Sequence, residues 1–125
     1  MLASAAVVGL VGTTDSARAR HFYGDVLGLV ELDETPFACV FDANGTTLRV
    51  TLVEQVVAAP YTVLGWVVPD VAETIRGLVA RGVVFDHHDG MRQDDLGIWE
   101  SPSGARVAWF KDPDGNILSL TQLRV

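Results

Sequence analysis

The chain has 125 residues, 49% hydrophobic and 20% charged, a composition that suits one folded domain and excludes intrinsic disorder. Nine Lys and Arg stand against sixteen Asp and Glu, a formal net charge of −7, which argues against a nucleic-acid partner or an anionic membrane surface. The single cysteine, Cys39, rules out a disulfide framework within the chain. Met1–Gly12 is mostly apolar but has no basic residue ahead of it, and the first is Arg18. It therefore reads as a buried strand rather than a leader, and the expected compartment is the cytoplasm.

Ala5–Gly12 is an apolar run of strand length. Thr14 or Asp15 then caps a helix whose apolar stripe is Ala19, Phe22, Tyr23 and Val26, with Gly28 at its end. Leu29–Asp33 and Pro36–Asp42 read as strands. Asn44-Gly45 marks a tight turn into a period-two strand with Leu48, Val50 and Leu52 on one face and Thr47, Arg49 and Thr51 on the other. After a loop near Val56–Pro60 the order repeats. Tyr61–Val68 is a strand, Asp70 opens a helix that Arg81-Gly82 closes, and Val83–His87 is a strand. Gly104–Lys111 and Ile117–Leu123 form a hairpin around Asp112-Pro113-Asp114-Gly115.

The repeat is arithmetical. Asp15 and Asp70 open the two helices 55 residues apart, and Gly28 and Gly82 close them 54 apart. The segment 42–50 matches 112–120 at an offset of 70. Each half reads β-α-β-β-β, module one over about 1–56 and module two over about 57–125. An insertion of about fifteen residues, within 89–103, lies in module two. The fold class is α+β.

With its segments HFYGDVLGL (21–29) and VAWFKDPDGNILSLTQ (107–122), the chain resembles the vicinal oxygen chelate superfamily. That superfamily includes glyoxalase I, extradiol dioxygenases and the bleomycin-resistance proteins. The resemblance implies two βαβββ modules curling as an open, mixed-sheet barrel around a cavity, with the helices outside, and a homodimer. In metal-dependent members each module supplies one ligand from its first strand and one from its last. Those places fall here on Val8, Arg49, Val63 and Ser119. None suits a hard divalent cation. Valine has no lone pair to give, arginine is a permanent cation and serine is a weak neutral donor. No metal and no other cofactor is expected.

Alternation along the strands puts Val8, Thr47, Arg49 and Thr51 of module one on the cavity face. From module two it puts Tyr61, Val63, Ser119 and Thr121 there, with Arg106, Ala108 and Phe110 paired onto the Ser119 face and Trp66 and Trp109 turned away. Arg49 either grips an anionic ligand or pairs with an internal carboxylate. His87-His88 sits at the mouth of the polar loop. Asp94, Asp95 and Glu100 make either an acidic solvated loop or a second metal cluster. Trp99 is either on a lid or in core packing. The function expected is a metal-independent small-molecule binder that sequesters or senses an organic ligand. The alternative is a lyase, isomerase or dioxygenase of the same superfamily using a site not visible in the sequence.

Overall fold

The computed structural model describes residues 1–124. The chain forms two compact units, the first ending at Val57 and the second beginning at Ala58. The first unit runs β1 (Val8–Thr13), α1 (Ser16–Arg20), a π-helical turn (His21–Val26), β2 (Val30–Glu34), β3 (Ala38–Ala43) and β4 (Thr46–Leu52). The second runs β5 (Thr62–Val67), α2 (Val71–Ala80), β6 (Trp99–Glu100), β7 (Arg106–Lys111) and β8 (Ile117–Gln122). Each unit holds one four-stranded mixed sheet, ordered β1-β4-β3-β2 and β5-β8-β7-β6. In both, the first strand runs parallel to the last and the remaining pairs are antiparallel. The α+β class and the βαβββ order are as the sequence predicts.

The repeat holds to the residue. Leu10 lies opposite Arg49 in the first unit, and Gly65 lies opposite Ser119 in the second, offset by the same 55 and 70 positions. The helix starts match as well. Asp15 accepts the backbone N–H of Arg18 and Asp70 that of Glu73, each at 3.1 Å. Such a cap contributes about 1 kcal/mol.

The helix-side face of each sheet is its core. In the first unit Tyr23 sits edge-on to Phe22 with centroids 5.1 Å apart and lies 6.1 Å from Phe41, above buried Leu48 and Val50. In the second, Phe85 lies 5.1 Å from Phe110, with Val71, Ile75, Leu118 and Leu120 buried around that sheet face.

Four expectations need correction. The first strand begins at Val8 rather than Ala5, and it is not buried on both faces. It is an edge strand, and Leu10 is 66% exposed. The first helix changes pitch half-way. Leu27 donates to Phe22 O at 2.9 Å, an i to i−5 bond, so the second half is a π-helical turn. Val83–His87 is not a strand, but touches β7 through one bridge, Phe85 to Phe110, and the bond from Asp86 N to Trp109 O at 2.8 Å. The other end of that free β7 edge, at Arg106 and Val107, is taken by β6, which comes from inside the insertion. The fourth correction concerns the β7–β8 hairpin and decides the site.

Candidate functional site

Each sheet has a second face, away from its helix, and the strand registers assign it row by row. On the first sheet one row is Leu10, Arg49, Val40 and Asp33, and beside it lie Gly12, Thr51 and Ala38, then Val8, Thr47, Asp42 and Val30. Val8, Thr47, Arg49 and Thr51 thus share one face, together with Val40 and Ala38. Asp33 joins it through a bulge at Leu32, which shifts the β2 register between Glu31 and Asp33. The same bulge turns both Glu31 and Glu34 to the helix side. There Arg20 takes Glu31 by two bonds of 2.8 and 3.1 Å and Glu34 at 2.8 Å. The Glu31 bond and the two negative charges hold the Arg20 guanidinium above its ordinary range. Arg49 carries no hydrogen bond or ion pair among the described residues. It is the one basic side chain in these three rows, beside apolar Val8, Leu10 and Val40.

On the second sheet the corresponding rows are Gly65, Ser119 and Trp109, then Val67, Thr121, Val107 and Trp99, then Thr62, Ile117 and Lys111. Ser119 and Thr121 lie where predicted. Arg106 and Phe110 do not. They pair with Gln122 and Leu118, on the opposite face, and Phe110 is fully buried there. Trp109 and Val107 take the places expected for them. The reason is the hairpin. Asp112 N donates to Asn116 O and Gly115 N to Asp112 O, both at 3.0 Å, which closes a three-residue loop. The first unit's hairpin instead pairs Ala43 with Thr46 across a two-residue turn, Asn44-Gly45, both with positive φ. The one-residue difference exchanges the faces of β7. At the start of β5 a bulge at Val63 removes that residue from the ladder and puts Thr62, not Tyr61, opposite Ile117. Tyr61 precedes the strand and is exposed.

Gly65 opens this second face. A Cβ at Gly65 would fall 2.5 Å from Ser119 Oγ and 3.3 Å from Ser119 O. Glycine lets the Ser119 side chain lie against the β5 backbone in the row that ends at Trp109. Around Trp109 the rings gather. Trp99 lies 6.1 Å away at 39°, and His88 lies 5.8 Å away, edge-on at 77°. Trp99 is on the added strand β6, half-buried and packed beside Trp109.

The insertion is tied down by Gln93. Its Nε2 donates to Asp86 O at 3.0 Å and to Gly97 O at 2.8 Å, and its Oε1 accepts His88 N–H at 2.7 Å. One side chain thus fixes both ends of the loop that carries His88 and leads into Trp99. Asp94 Oδ1 accepts the N–H of Leu96 and of Ile98 at 2.9 Å, and Lys111 pairs with Asp86 at 3.0 Å. Sequence reasoning missed Trp109, His88 and Gln93 as a unit. The signal available was Pro113, whose fixed φ forbids the two-residue turn used at Asn44-Gly45.

Metal fit can be tested on the donors. Val8, Arg49, Val63 and Ser119 do not offer the donor set that a divalent cation requires. Among the described residues no group of three or more His, Cys, Asp or Glu is gathered to hold a metal ion, Asp94, Asp95 and Glu100 included.

A model of the Glyoxalase/Bleomycin resistance protein/Dioxygenase superfamily matches residues 5–120. The chain belongs to that superfamily. Solved structures share the fold of this superfamily member. One is a member of the same superfamily from Sphaerobacter thermophilus, with a TM-score of 0.74, 22% identity, and 98% of this chain and 99% of that one covered. Another is lactoylglutathione lyase from Agrobacterium tumefaciens, with a TM-score of 0.73, 20% identity and coverage of 95% and 93%. A third is TnmS3, an antibiotic binding protein from Streptomyces sp. CB03234, with a TM-score of 0.72, 24% identity and 99% of each chain covered. The fold thus serves both an enzyme and a binder. No curated protein matches. Among the described residues no helix is long and apolar enough to cross a membrane.

Proposed function

We propose that this superfamily member binds a flat organic molecule without a metal ion, to sequester or sense it. The observation that carries the reading is the row Gly65, Ser119, Trp109, with Trp99 and His88 against Trp109. It is a row with no side chain on β5, where Ser119 lies against the Gly65 backbone, ending on an aromatic ring that a neighbouring ring and a tied-down loop flank. A planar ligand gains about 0.5–1.5 kcal/mol per ring contact beyond its buried area. Ser119 and Thr121 add hydroxyls that orient it without paying for a buried charge. The donor chemistry at Val8, Arg49, Val63 and Ser119 supports metal independence, and the antibiotic-binding neighbour supports the binder class. The reading includes a cytoplasmic homodimer. Leu10, Val30 and Val67 are each more than 60% exposed in the single chain, which a second copy would relieve.

The test is a tryptophan-fluorescence titration with neutral planar aromatics, run with and without a chelator. Binding that survives chelation and is lost in Trp109→Leu is expected. Binding or turnover that requires a divalent ion would return the lyase, isomerase and dioxygenase readings. Light scattering reports the oligomeric state.

A further inference from the structure

The chain has two asparagines, Asn44 and Asn116, and the fold treats them oppositely. Asn116 is buried, its Nδ2 donates to Asp112 Oδ2 at 2.8 Å, and the branched Ile117 follows it. Asn44 is exposed at the tip of the β3–β4 hairpin, and Gly45 follows it. Its side-chain amide has no hydrogen bond among the described residues. Nothing lies within 4 Å of the place a Gly45 Cβ would take, so the turn is open to water on that side. One group does reach into it. Asp42 Oδ1 accepts the Gly45 N–H at 2.9 Å.

We infer that Asn44 is a site of spontaneous covalent modification, and that Asp42 restrains it while the chain is folded. In the reaction the Gly45 nitrogen gives up its proton to solvent and attacks Asn44 Cγ. The new N–Cγ bond closes a cyclic imide as the Cγ–Nδ2 bond breaks, and Nδ2 takes a proton from solvent and leaves as ammonia. Water then opens the ring at either carbonyl, giving aspartate or isoaspartate. The balance is one water consumed and one ammonia released. Glycine favours the attack because it sets no side chain beside the nitrogen. Asp42 opposes it twice. Its carboxylate holds the N–H that must be lost, and its negative charge disfavours the nitrogen anion. The isoaspartate product routes the main chain through the side-chain carbon, which adds a backbone atom to a two-residue turn. The pairs Ala43–Thr46 and Asp42–Thr47 depend on that turn, so the modification acts on the hairpin that sets Val40 beside Arg49.

The test is incubation of the folded chain at mildly alkaline pH, followed by peptide mass mapping and enzymatic methylation of isoaspartate. Asn44 is expected to convert and Asn116 is not. Asp42→Ala, shown to be folded by circular dichroism, should convert about tenfold faster, the factor that one charge-assisted hydrogen bond supplies. Asp42→Asn keeps an acceptor without the charge and should fall between; it carries the comparison if Asp42→Ala does not fold. In urea all three chains should convert at one rate, because the restraint belongs to the fold. The isoaspartate fraction should melt below Asn44→Asp, which has the same charge in a turn of unchanged length. An Asn44 that converts in urea but in neither folded Asp42 variant would overturn the site. Slower conversion in the folded Asp42 variants would make Asp42 the base for the attack and overturn the restraint.

Discussion

Substituting Gly65 by alanine tests the parallel register on which the site depends. The new methyl would lie 2.5 Å from Ser119 Oγ and 3.3 Å from Ser119 O. The Oγ contact must be relieved by driving Ser119 out of its rotamer or by shifting the strand, whereas the carbonyl need give only a few tenths of an ångström. Overpacking of this sort costs about 1–3 kcal/mol. Against it stands about 0.5–1 kcal/mol gained by removing glycine's freedom in the unfolded chain. The net expectation is a loss of about 1 kcal/mol, or roughly 4 °C in Tm. In a Ser119→Ala background the nearest side-chain atom becomes Cβ, at 3.7 Å, an ordinary contact. Gly65→Ala should then be neutral or stabilise by about 0.5 kcal/mol.

The assay is a double-mutant cycle by urea and thermal denaturation, with an expected coupling of about 1 kcal/mol. Additivity within about 0.3 kcal/mol would mean that Gly65 and Ser119 do not face each other, and the row ending at Trp109 would lose its basis. The methyl also displaces the Ser119 side chain in the row that ends on that ring. Gly65→Ala should therefore weaken planar-ligand binding about tenfold, with the sheet still folded.

Gln93→Ala leaves His88 N–H, Asp86 O and Gly97 O without their partner. A loss of about 1–3 kcal/mol is expected in urea denaturation, with weaker binding at Trp109. Cys39 is fully buried, and burial raises its thiol, with Glu31 and Glu34 adding and Arg20 opposing. A raised folded-state value means a stability contribution that is complete below the unfolded thiol's value and is lost as pH climbs towards the folded one. Stability should fall from about pH 9 upward, Cys39→Ala should flatten that fall, and a disulfide reagent at neutral pH should react only as fast as the protein opens. Arg20→Ala removes the clamp on Glu31 and Glu34 and should lower Tm. Because these side chains are solvent-exposed, the drop should shrink at high salt, and a drop independent of salt would contradict the ion-pair account.

Most of the fold was legible because its determinants are local. Two aspartates at helix starts, apolar stripes at helical spacing and an Asn-Gly turn each act within a few residues of themselves. Repetition at offsets of 55 and 70 then fixed the strand pairing. What escaped was non-local or off by one residue. Nothing in Trp99-Glu100 announces a strand, since two residues have no period, and they become one only because β7 has a free edge beside them. The bulges at Leu32 and Val63 likewise shift a register by one, which periodicity averages away. Of the ten predicted pocket residues, those of the first sheet share a face as expected, whereas Arg106 and Phe110 lie on the wrong side of β7.

That last error shows how narrowly chemistry hangs on turn geometry in this repeat. The segments DANGT (42–46) and DPDGN (112–116) look interchangeable, and a common hairpin would set Phe110 beside Ser119 as Val40 sits beside Arg49. Asn44 and Gly45 both take positive φ, the requirement of a two-residue turn that matches strand twist. Pro113 cannot. Its ring holds φ near −65°, which suits the first position of a type I turn, and Gly115 at φ 88° then completes a three-residue loop. Asp112 accepts from Asp114 N–H, Asn116 N–H and Asn116 Nδ2 at 2.8–3.0 Å, which holds that loop shut. One residue more in the loop turns β7 over. The face that would have carried Arg106 and Phe110 carries Val107 and Trp109 instead, within ring contact of His88 and Trp99. On the first sheet, where the turn is Asn-Gly, the equivalent face carries an unpaired arginine. Two copies of one supersecondary unit thus present an unpaired arginine in one case and an aromatic ring in the other; the proline turn brings the ring to that face, and the exchange of Arg49 for Ser119 at the repeat position removes the arginine.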